Sequence, residues 1–433
     1  MRYISTRDAS KKEITASEAI VRGLAPDGGL YVPCEFPKLE GFIGLDYNEL
    51  ALKVLSLYLT DFSEGELAEY IGAAYDGQLP VKLNGAYLEL FHGQTSAFKD
   101  VALQLFPYLL TASLRKNGVD KTAVILVATS GDTGSAVLSG LKNTAGIRVI
   151  VFYPSKGVSD AQRLQMVTQT GGNLNVFGIN GNFDDAQRAV KEVFADEGFK
   201  AQFADKYVFS SANSINLGRL VPQIVYYFYS YSELVGSGRI REGEAINYVV
   251  PTGNFGNILA GYYAYKMGLP VNKLICATNS NKVLDDYFKT GVYDSNREFY
   301  VTVSPAMDIL VSSNLERLIY ENAPKDIFDS DYATEPETIE TIKRVYASDN
   351  YILDPHTAVA KRVYEKYKSR SGDETPALIL ATASPYKFAE TVEGAIGKVL
   401  TDPPEGLRDL DKKPVLHGET VSDIKETVRK ALS

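Results

Sequence analysis

Lys99 is the residue whose type and setting most strongly indicate covalent chemistry. It lies in the segment HGQTSAFKD, and the apolar run VALQLFPYLL that follows is typical of a buried helix. A lysine in water has a pKa of about 10.4, but burial or the positive end of a helix favours the neutral amine. Because a neutral amine attacks an aldehyde, Lys99 is a candidate for covalent cofactor binding. The alternative is an ordinary surface lysine.

A glycine-rich loop could hold the phosphate of such a cofactor. The segment PTGNFGN, residues 251–257, follows the apolar run INYVV and precedes a helical run. Gly253 and Gly256 let backbone amides approach an anion, and the start of the next helix carries partial positive charge. Glycine-rich turns are common, so the segment could also be only a turn. It matches neither GxGxxG nor GxxxxGK[ST], and a nucleotide-binding fold is therefore not indicated.

Two further loops carry small polar residues. Residues 129–135, TSGDTGS, follow an apolar run, and their amides and hydroxyls could bind a carboxylate. A tight turn that caps a helix is an equally good interpretation. Residues 381–385, ATASP, follow another apolar run and add more hydroxyls. We expect the three loops to converge on one crevice.

The pattern that must position these loops is a series of continuous apolar runs separated by helix-length segments. Such runs indicate parallel strands buried on both faces, which is the α/β class. In these folds ligands bind at the carboxyl ends of the strands. The first 82 residues differ in pattern and are expected to form a separate N-terminal domain, followed by a catalytic region at 83–433. The runs are AVILVA at 123–128, RVIVFY at 148–153, NLNVFGI at 173–179, INYVV at 246–250, KLICAT at 273–278 and ALILAT at 377–382.

Composition excludes several classes of function. The chain has 433 residues, of which 45% are hydrophobic, and a formal net charge of −9. This charge argues against nucleic-acid binding, which depends on Lys and Arg neutralising phosphates. No run of about 18 apolar residues is free of charges, and the start has no signal or transit pattern, so we expect a cytoplasmic protein. Two distant cysteines and three histidines predict neither a disulfide nor a metal site.

The loops occur together in an order that resembles threonine synthases. The resemblance covers nearly the whole chain and is similar to the bacterial and fungal branch, which carries an extra N-terminal domain. It implies a two-lobed, tryptophan-synthase-β-like fold with pyridoxal 5'-phosphate as cofactor. The matching segments are APDGGLYVP, HGQTSAFKD, ATSGDTGSAV, SSANSINLGRLVPQ, PTGNFGN, SPAMDILVSSNLERL, DPHTAVA and LATAS.

The resemblance also implies roles for individual residues. Lys99 is the implied Schiff-base lysine and the catalytic residue. The implied cofactor contacts are Gly253, Asn254, Phe255, Gly256 and Asn257 around the phosphate, with Thr382 at the pyridine nitrogen. The implied substrate contacts are Thr95, Ser96, Ser130, Asp132, Thr133, Asn213, Ser214, Asn216 and Arg219.

Asp132 departs from the wider group, in which many relatives have an asparagine that donates to the cofactor ring oxygen. An ionised carboxylate cannot donate, and we place Asp132 instead at a helix start, where its charge suits the helix dipole.

The implied reaction converts O-phospho-L-homoserine and water to L-threonine and phosphate. We expect the protein to be a monomer or homodimer. Lys99, displaced by the substrate amine, would act as general base, with γ-phosphate lost and water added at the β-carbon. Two alternatives stay open. One is a β-eliminating relative such as a serine or threonine dehydratase. The other is a protein that binds the cofactor or a partner without catalysis.

Overall fold

The N-terminal part of the computed structural model, which describes residues 1–433, contains a two-stranded antiparallel ribbon and three helices. The two longer helices each begin with a capping box, formed by Asp46 with Glu49 and by Ser63 with Glu66. Their apolar faces belong to the same core cluster as helices of the central region. The domain boundary at residue 82 therefore stays a prediction. The elements are β1 (Tyr3–Ser5), α1 (Ala16–Arg22), β2 (Tyr31–Pro33), α2 (Tyr47–Tyr58) and α3 (Glu64–Tyr75).

A short hairpin and two helices lead into the smaller of the two parallel sheets. Its strands alternate with helices, as the apolar runs predicted. The elements are β3 (Lys82–Asn84), β4 (Tyr87–Glu89), α4 (Lys99–Leu103), α5 (Phe106–Lys116), β5 (Thr122–Ala128), α6 (Asp132–Leu141), β6 (Ile147–Pro154), α7 (Asp160–Val167), β7 (Leu174–Ile179), α8 (Phe183–Ala195), α9 (Glu197–Ala201) and β8 (Tyr207–Ser211).

The second half of the chain builds the larger sheet and returns to the smaller one at its end. The elements are α10 (Leu217–Leu220), α11 (Val225–Gly236), β9 (Ile246–Pro251), α12 (Gly256–Lys266), β10 (Val271–Thr278), α13 (Val283–Thr290), α14 (Leu315–Tyr320), β11 (Phe328–Tyr332), α15 (Glu335–Asp349), α16 (Pro355–Ser371), β12 (Ala377–Ala381), α17 (Ala389–Ile396), β13 (Glu419–Val421) and α18 (Ile424–Leu432).

Both large sheets are almost wholly parallel. The five-stranded sheet has the order β13-β7-β6-β5-β8, and the six-stranded sheet has the order β11-β10-β9-β12-β4-β3, in which only β3 is antiparallel. Six consecutive residues of β5, Ala123 to Ala128, are buried, which explains why its sequence is apolar without alternation. All six predicted strands are present, so the α/β, two-lobed prediction is confirmed.

The carboxyl ends of β5, β8, β9 and β12 lead directly into polar loops. These loops are residues 129–135, 212–216, 252–257 and 382–385. The prediction that ligands bind beyond such strand ends applies to this edge of each sheet. None of the helices is both long and apolar enough to cross a membrane.

Candidate active site

A cavity is lined by residues that follow strands of both sheets. It therefore lies where the two parallel sheets direct their loops. Most of the residues proposed from the sequence line it. These are Lys99, Ser130, Thr133, Asn213, Ser214, Arg219, Gly253, Asn254, Phe255, Gly256, Asn257 and Thr382.

Four residues proposed as substrate contacts do not line the cavity. The Thr95 amide and hydroxyl donate to the Asp100 carboxylate, at 2.7 and 2.6 Å. Ser96 is buried with a φ of 58°, and its carbonyl accepts from Ser384. The side-chain nitrogen of Asn216 donates to the carbonyls of Ile20 and Ser211, and its side-chain oxygen caps α10. Asn216 therefore ties α10 to α1.

The fourth residue, Asp132, is the first residue of α6, as expected, but its carboxylate does more than face the helix dipole. It forms an ion pair with Lys387 at 2.9 Å, and its other oxygen lies 3.9 Å from Nζ of Lys99. Burial alone would raise the pKa of Asp132, but Lys387 and Lys99 bring that pKa well below its usual range. Asp132 is therefore ionised beside the candidate lysine.

Lys99 begins the short helix α4, and only 12% of its side-chain surface is exposed. Burial lowers the pKa of Lys99 to about 8, against the opposing attraction of Asp132. The amine is thus neutral far more often than a surface lysine. It is held beside Thr382, because the amide of Phe98 donates to the Thr382 carbonyl at 2.8 Å.

The loop before α12 contains a strained backbone conformation that the surrounding packing maintains. Phe255 precedes α12 with a φ of 63°, in the left-handed region that bulky residues avoid. Its buried ring packs near Phe288 and Phe328, which fixes this conformation. A β-carbon on Gly253 would lie 2.6 Å from the carbonyl oxygen of Ala306, so no other residue fits there without a shift.

Asn254 lines the cavity and is held through both its side chain and its backbone. Its amide oxygen accepts from the Ser313 amide at 2.9 Å, and its carbonyl accepts from the side chain of Asn314 at 3.0 Å. These bonds anchor the loop to the segment before α14.

Arg219 and Asn257 present unpaired hydrogen-bond donors in the cavity wall. Arg219 is buried, its Nη1 donates to the Ala212 carbonyl, and its Nε has no partner. Burial lowers the pKa of Arg219 to about 10, and no carboxylate opposes that effect. The oxygen of Asn257 accepts from the hydroxyls of Tyr226 and Tyr227, which leaves its Nδ2 without an acceptor. Unsatisfied buried donors of this kind indicate a site for an anion.

These features fit pyridoxal phosphate on structural grounds. The cofactor requires a nucleophilic amine for its aldehyde, donors for its phosphate and a polar group for its ring nitrogen. Lys99 supplies the amine, and the loop at 253–256 with the start of α12 supplies amides. Thr382 supplies a hydroxyl at the end of β12, the parallel neighbour of β9. No cluster of His, Cys, Asp or Glu side chains in the structure could hold a metal ion.

Comparison with known proteins agrees with this geometry. The family model "Pyridoxal-phosphate dependent enzyme" matches residues 84–383, and models of the threonine synthase N terminus and C terminus match residues 2–75 and 357–431. Threonine synthase of Saccharomyces cerevisiae is 37% identical, covering 91% of this chain and 89% of the yeast protein. The crystal structure of pyridoxal-phosphate-bound threonine synthase from Brucella melitensis is 34% identical and has a TM-score of 0.87, covering 100% of this chain and 98% of that chain. The chain belongs to the threonine synthase family.

It is a pyridoxal-phosphate-dependent enzyme, as its membership of the threonine synthase family shows. A mouse protein named threonine synthase-like 1 is 40% identical over 92% of this chain, which spans 60% of the mouse protein. The family predicted from the sequence is thus confirmed, while the roles of individual site residues stay predictions.

The structure adds residues to the threonine synthase cavity that sequence reasoning did not assign. His356 lines it, and its Nε2 accepts from the amide of Ala306 at 3.2 Å while Nδ1 donates to Asp354 at 2.8 Å. His356 therefore holds the Ala306 segment against the Gly253 loop. The motif DPHTAVA contains this histidine, but its contact with residue 306 has no signal in the sequence. Lys387 does not line the cavity but pairs with Asp132 behind it, and it lies in none of the segments that the sequence singled out.

Proposed function

We propose that this member of the threonine synthase family converts O-phospho-L-homoserine and water to L-threonine and inorganic phosphate. The observation that supports this substrate most directly is the buried Arg219 guanidinium, which has a free Nε and no carboxylate partner in the same cavity as Lys99. A buried cation without a counter-ion is costly, and a phosphate ester would supply the missing charge.

The proposal assigns the two anionic groups to different donors. The amides of residues 253–256 and the first turn of α12 hold the cofactor phosphate, with Nδ2 of Asn257 nearby. Arg219, with Asn213 and Ser214 from the same strand-to-helix connection, holds the substrate phosphate. Ser130 and Thr133 follow β5, the strand next to β8 in the same sheet, and are assigned to the substrate carboxylate.

Lys99 has two proposed tasks. As a neutral amine it binds the cofactor, whose ring, when bound, withdraws electrons from the substrate α-carbon. Once displaced by the substrate amine, Lys99 is free to accept and return protons along the substrate chain. A pKa of about 8 suits a group that must do both near neutral pH. The Thr382 hydroxyl is placed at the ring nitrogen, where it donates a hydrogen bond without adding charge.

The alternative within the same fold is a dehydratase that acts on serine or threonine. Such a substrate carries no phosphate and leaves the Arg219 guanidinium uncompensated. We therefore expect the substrate to be phosphorylated at the carbon that loses its leaving group.

The test is to add O-phospho-L-homoserine to the purified, cofactor-loaded protein and to measure both inorganic phosphate and threonine. Equal amounts of the two products are expected, with no ammonia from serine. The variant Lys99→Ala is the control for contaminating phosphatase, since it should release neither product. Ammonia from serine without phosphate release would support the dehydratase, and cofactor binding with neither reaction would support a non-catalytic binding protein.

We further propose that the protein acts in the cytoplasm as a monomer or homodimer and binds neither nucleic acid nor membrane. The net charge of −9 and the lack of a membrane-spanning helix support this view. Sedimentation equilibrium of the purified protein would determine the oligomeric state.

A further inference from the structure

Lys387 is a lysine with no exposed side-chain surface. It lies in the 3₁₀ turn Pro385–Phe388 that follows β12. Its Nζ donates to Oδ1 of Asp132 at 2.9 Å and to the carbonyl of Thr95 at 2.9 Å. A fully buried lysine is costly unless it is paired, so these two contacts determine where its charge resides.

Asp132 links Lys387 to Lys99. Its Oδ1 accepts from Lys387 and also from the side-chain amide of Gln162, at 2.8 Å. Its Oδ2 lies 3.9 Å from Nζ of Lys99. One oxygen is therefore held by Lys387 and an amide, and the other faces the amine of Lys99.

Four ionisable groups in and behind the cavity wall act on Lys99. Asp132 and Asp100 attract a proton to the amine, whereas Arg219 and Lys387 oppose it. Asp100 is held by the amide and hydroxyl of Thr95, whose carbonyl also accepts from Lys387. The ammonium of Lys387 thus acts on both carboxylates and offsets their attraction for a proton on Lys99.

We propose that Lys387 and Asp132 are a pair of positioning residues that sets the proton affinity of Lys99. Asp132 alone, ionised and buried, would hold Lys99 as an ammonium, which cannot attack the cofactor aldehyde. With Lys387 as its partner, Asp132 orients the amine by its second oxygen while most of its charge is neutralised. This inference deepens the proposed function and rests on Lys99 being the cofactor-binding lysine.

If the pair sets the proton affinity of Lys99, removing either residue should change the pKa of Lys99, whereas loss of a purely structural ion pair should not. In Asp132→Asn, the amine loses its nearest carboxylate and keeps two cations nearby, so the pKa of Lys99 should fall. In Lys387→Met, Lys99 becomes the nearest cation that can neutralise Asp132, so the pKa of Lys99 should rise. An opposite charge within 4 to 6 Å shifts a pKa by about 1 to 3 units, and we expect at least about 1 unit in each direction.

The experiment measures the pKa of Lys99 in the cofactor-free protein. Competitive labelling with acetic anhydride across a pH series, read by peptide mass spectrometry, reports the reactivity of Lys99 independently of catalysis. At pH 7 the labelling rate should rise about fivefold in Asp132→Asn and fall about tenfold in Lys387→Met, because the neutral fraction of the amine sets the rate. Lys387→Arg should stay near the parent. The double variant should lie between the two single variants, because both opposing charges are gone.

A matched control is available in Lys366, which also contacts one carboxylate and one carbonyl, those of Glu337 at 2.9 Å and Tyr332 at 2.7 Å. Lys366→Met should leave the pKa of Lys99 unchanged. Thermal unfolding of every variant separates lost stability from altered titration. If Lys387→Met does not fold, Asp132→Asn and the double variant still give the sign and size of the effect.

Two failures would be distinguishable. If the variants fold and the pKa of Lys99 shifts by less than about 0.3 units in each, the pair is only structural and this inference is wrong. If Lys99→Ala still binds the cofactor covalently, the proposed role of Lys99 is wrong, whatever the titration shows.

Discussion

Two glycines of one loop allow fold stability to be separated from cofactor binding. Gly253 and Gly256 flank the turn before α12, and both were proposed to hold the cofactor phosphate. A β-carbon on Gly253 would lie 2.6 Å from the carbonyl oxygen of Ala306 and 2.9 Å from Cδ1 of Ile309. A β-carbon on Gly256 would come no nearer than 3.4 Å to Cβ of Ser214 and 3.6 Å to Nδ2 of Asn314, which are ordinary contacts.

The two alanine variants should therefore behave differently. Gly253→Ala forces a shift in a packed wall, and its free energy of unfolding should fall by about 1 to 3 kcal/mol without cofactor. Gly256 is the first residue of α12 and has no positive φ. Gly256→Ala should leave the stability of the cofactor-free protein unchanged or raise it by up to about 1 kcal/mol.

In Gly256→Ala, cofactor affinity should fall even though the stability of the cofactor-free protein does not. If its amide contacts the phosphate, the added methyl lies in the path of the anion, and the Kd for pyridoxal phosphate should rise at least about tenfold, or ~1.4 kcal/mol. Equilibrium dialysis against the cofactor, with thermal unfolding of the cofactor-free protein, measures both quantities. Gly65→Ala is the matched control, because Gly65 lies in the first turn of α3 with nothing within 4 Å of its added carbon. Parent-like cofactor affinity in Gly256→Ala would show that the phosphate binds elsewhere.

Three further outcomes are expected. Arg219→Met should raise the KM for O-phospho-L-homoserine at least about tenfold, and an unchanged KM would place the substrate phosphate elsewhere. It should destabilise the free protein less than Arg317→Met, because only the Ala212 carbonyl loses its donor and the removed guanidinium has no counter-ion. Thr382 should donate to an unprotonated pyridine nitrogen, and nitrogen NMR of labelled cofactor should show no pyridinium signal near neutral pH. Arg317→Met should lower the free energy of unfolding, measured by urea titration, by about 2 to 4 kcal/mol, since the carbonyls of Tyr31 and Ile215 lose their buried donor. Arg239 is exposed, so Arg239→Met is the control and should change the free energy of unfolding little.

The strands that the sequence predicted are those whose residues are buried on both faces. β5, β6 and β9 are continuous apolar runs because helices cover both sides of the sheet, and burial alone determines their composition. β11 has the sequence FDSDY, which is polar because this strand lies at a sheet edge. β4 has only three residues, too few for any periodicity. Short and edge strands are therefore the ones that sequence patterns miss.

The candidate site divides in a similar way. Residues that act through their own backbone or a local loop, such as Gly253 and Phe255, are visible in the sequence because glycines and strand ends mark them. Asn216 occurs in a matching motif, yet its amide is used to join α10 to α1. Lys387 has its role only because the end of β12 brings it to Asp132 on α6. A contact between distant segments cannot be found from the spacing of one sequence.

The charges that surround Lys99 explain why the cavity is suited to anions. Lys99, Lys387 and Arg219 are opposed by Asp132 and Asp100, so three basic groups face two carboxylates. Burying an unmatched cation costs stability. The same unfavourable burial lowers the pKa of Lys99 to about 8 and that of Arg219 to about 10. A phosphate bound in the cavity would offset this cost, since its negative charge favours the protonated guanidinium. Binding of cofactor and substrate should then stabilise the folded protein beyond the gain from contacts alone, and a neutral substrate analogue cannot provide this part of the stabilisation. The proposed preference for a phosphorylated substrate rests on the unpaired charge of Arg219 in the cavity wall. The proposed role of Lys387 is a separate one, to offset the attraction of Asp132 that would otherwise hold Lys99 as the unreactive ammonium.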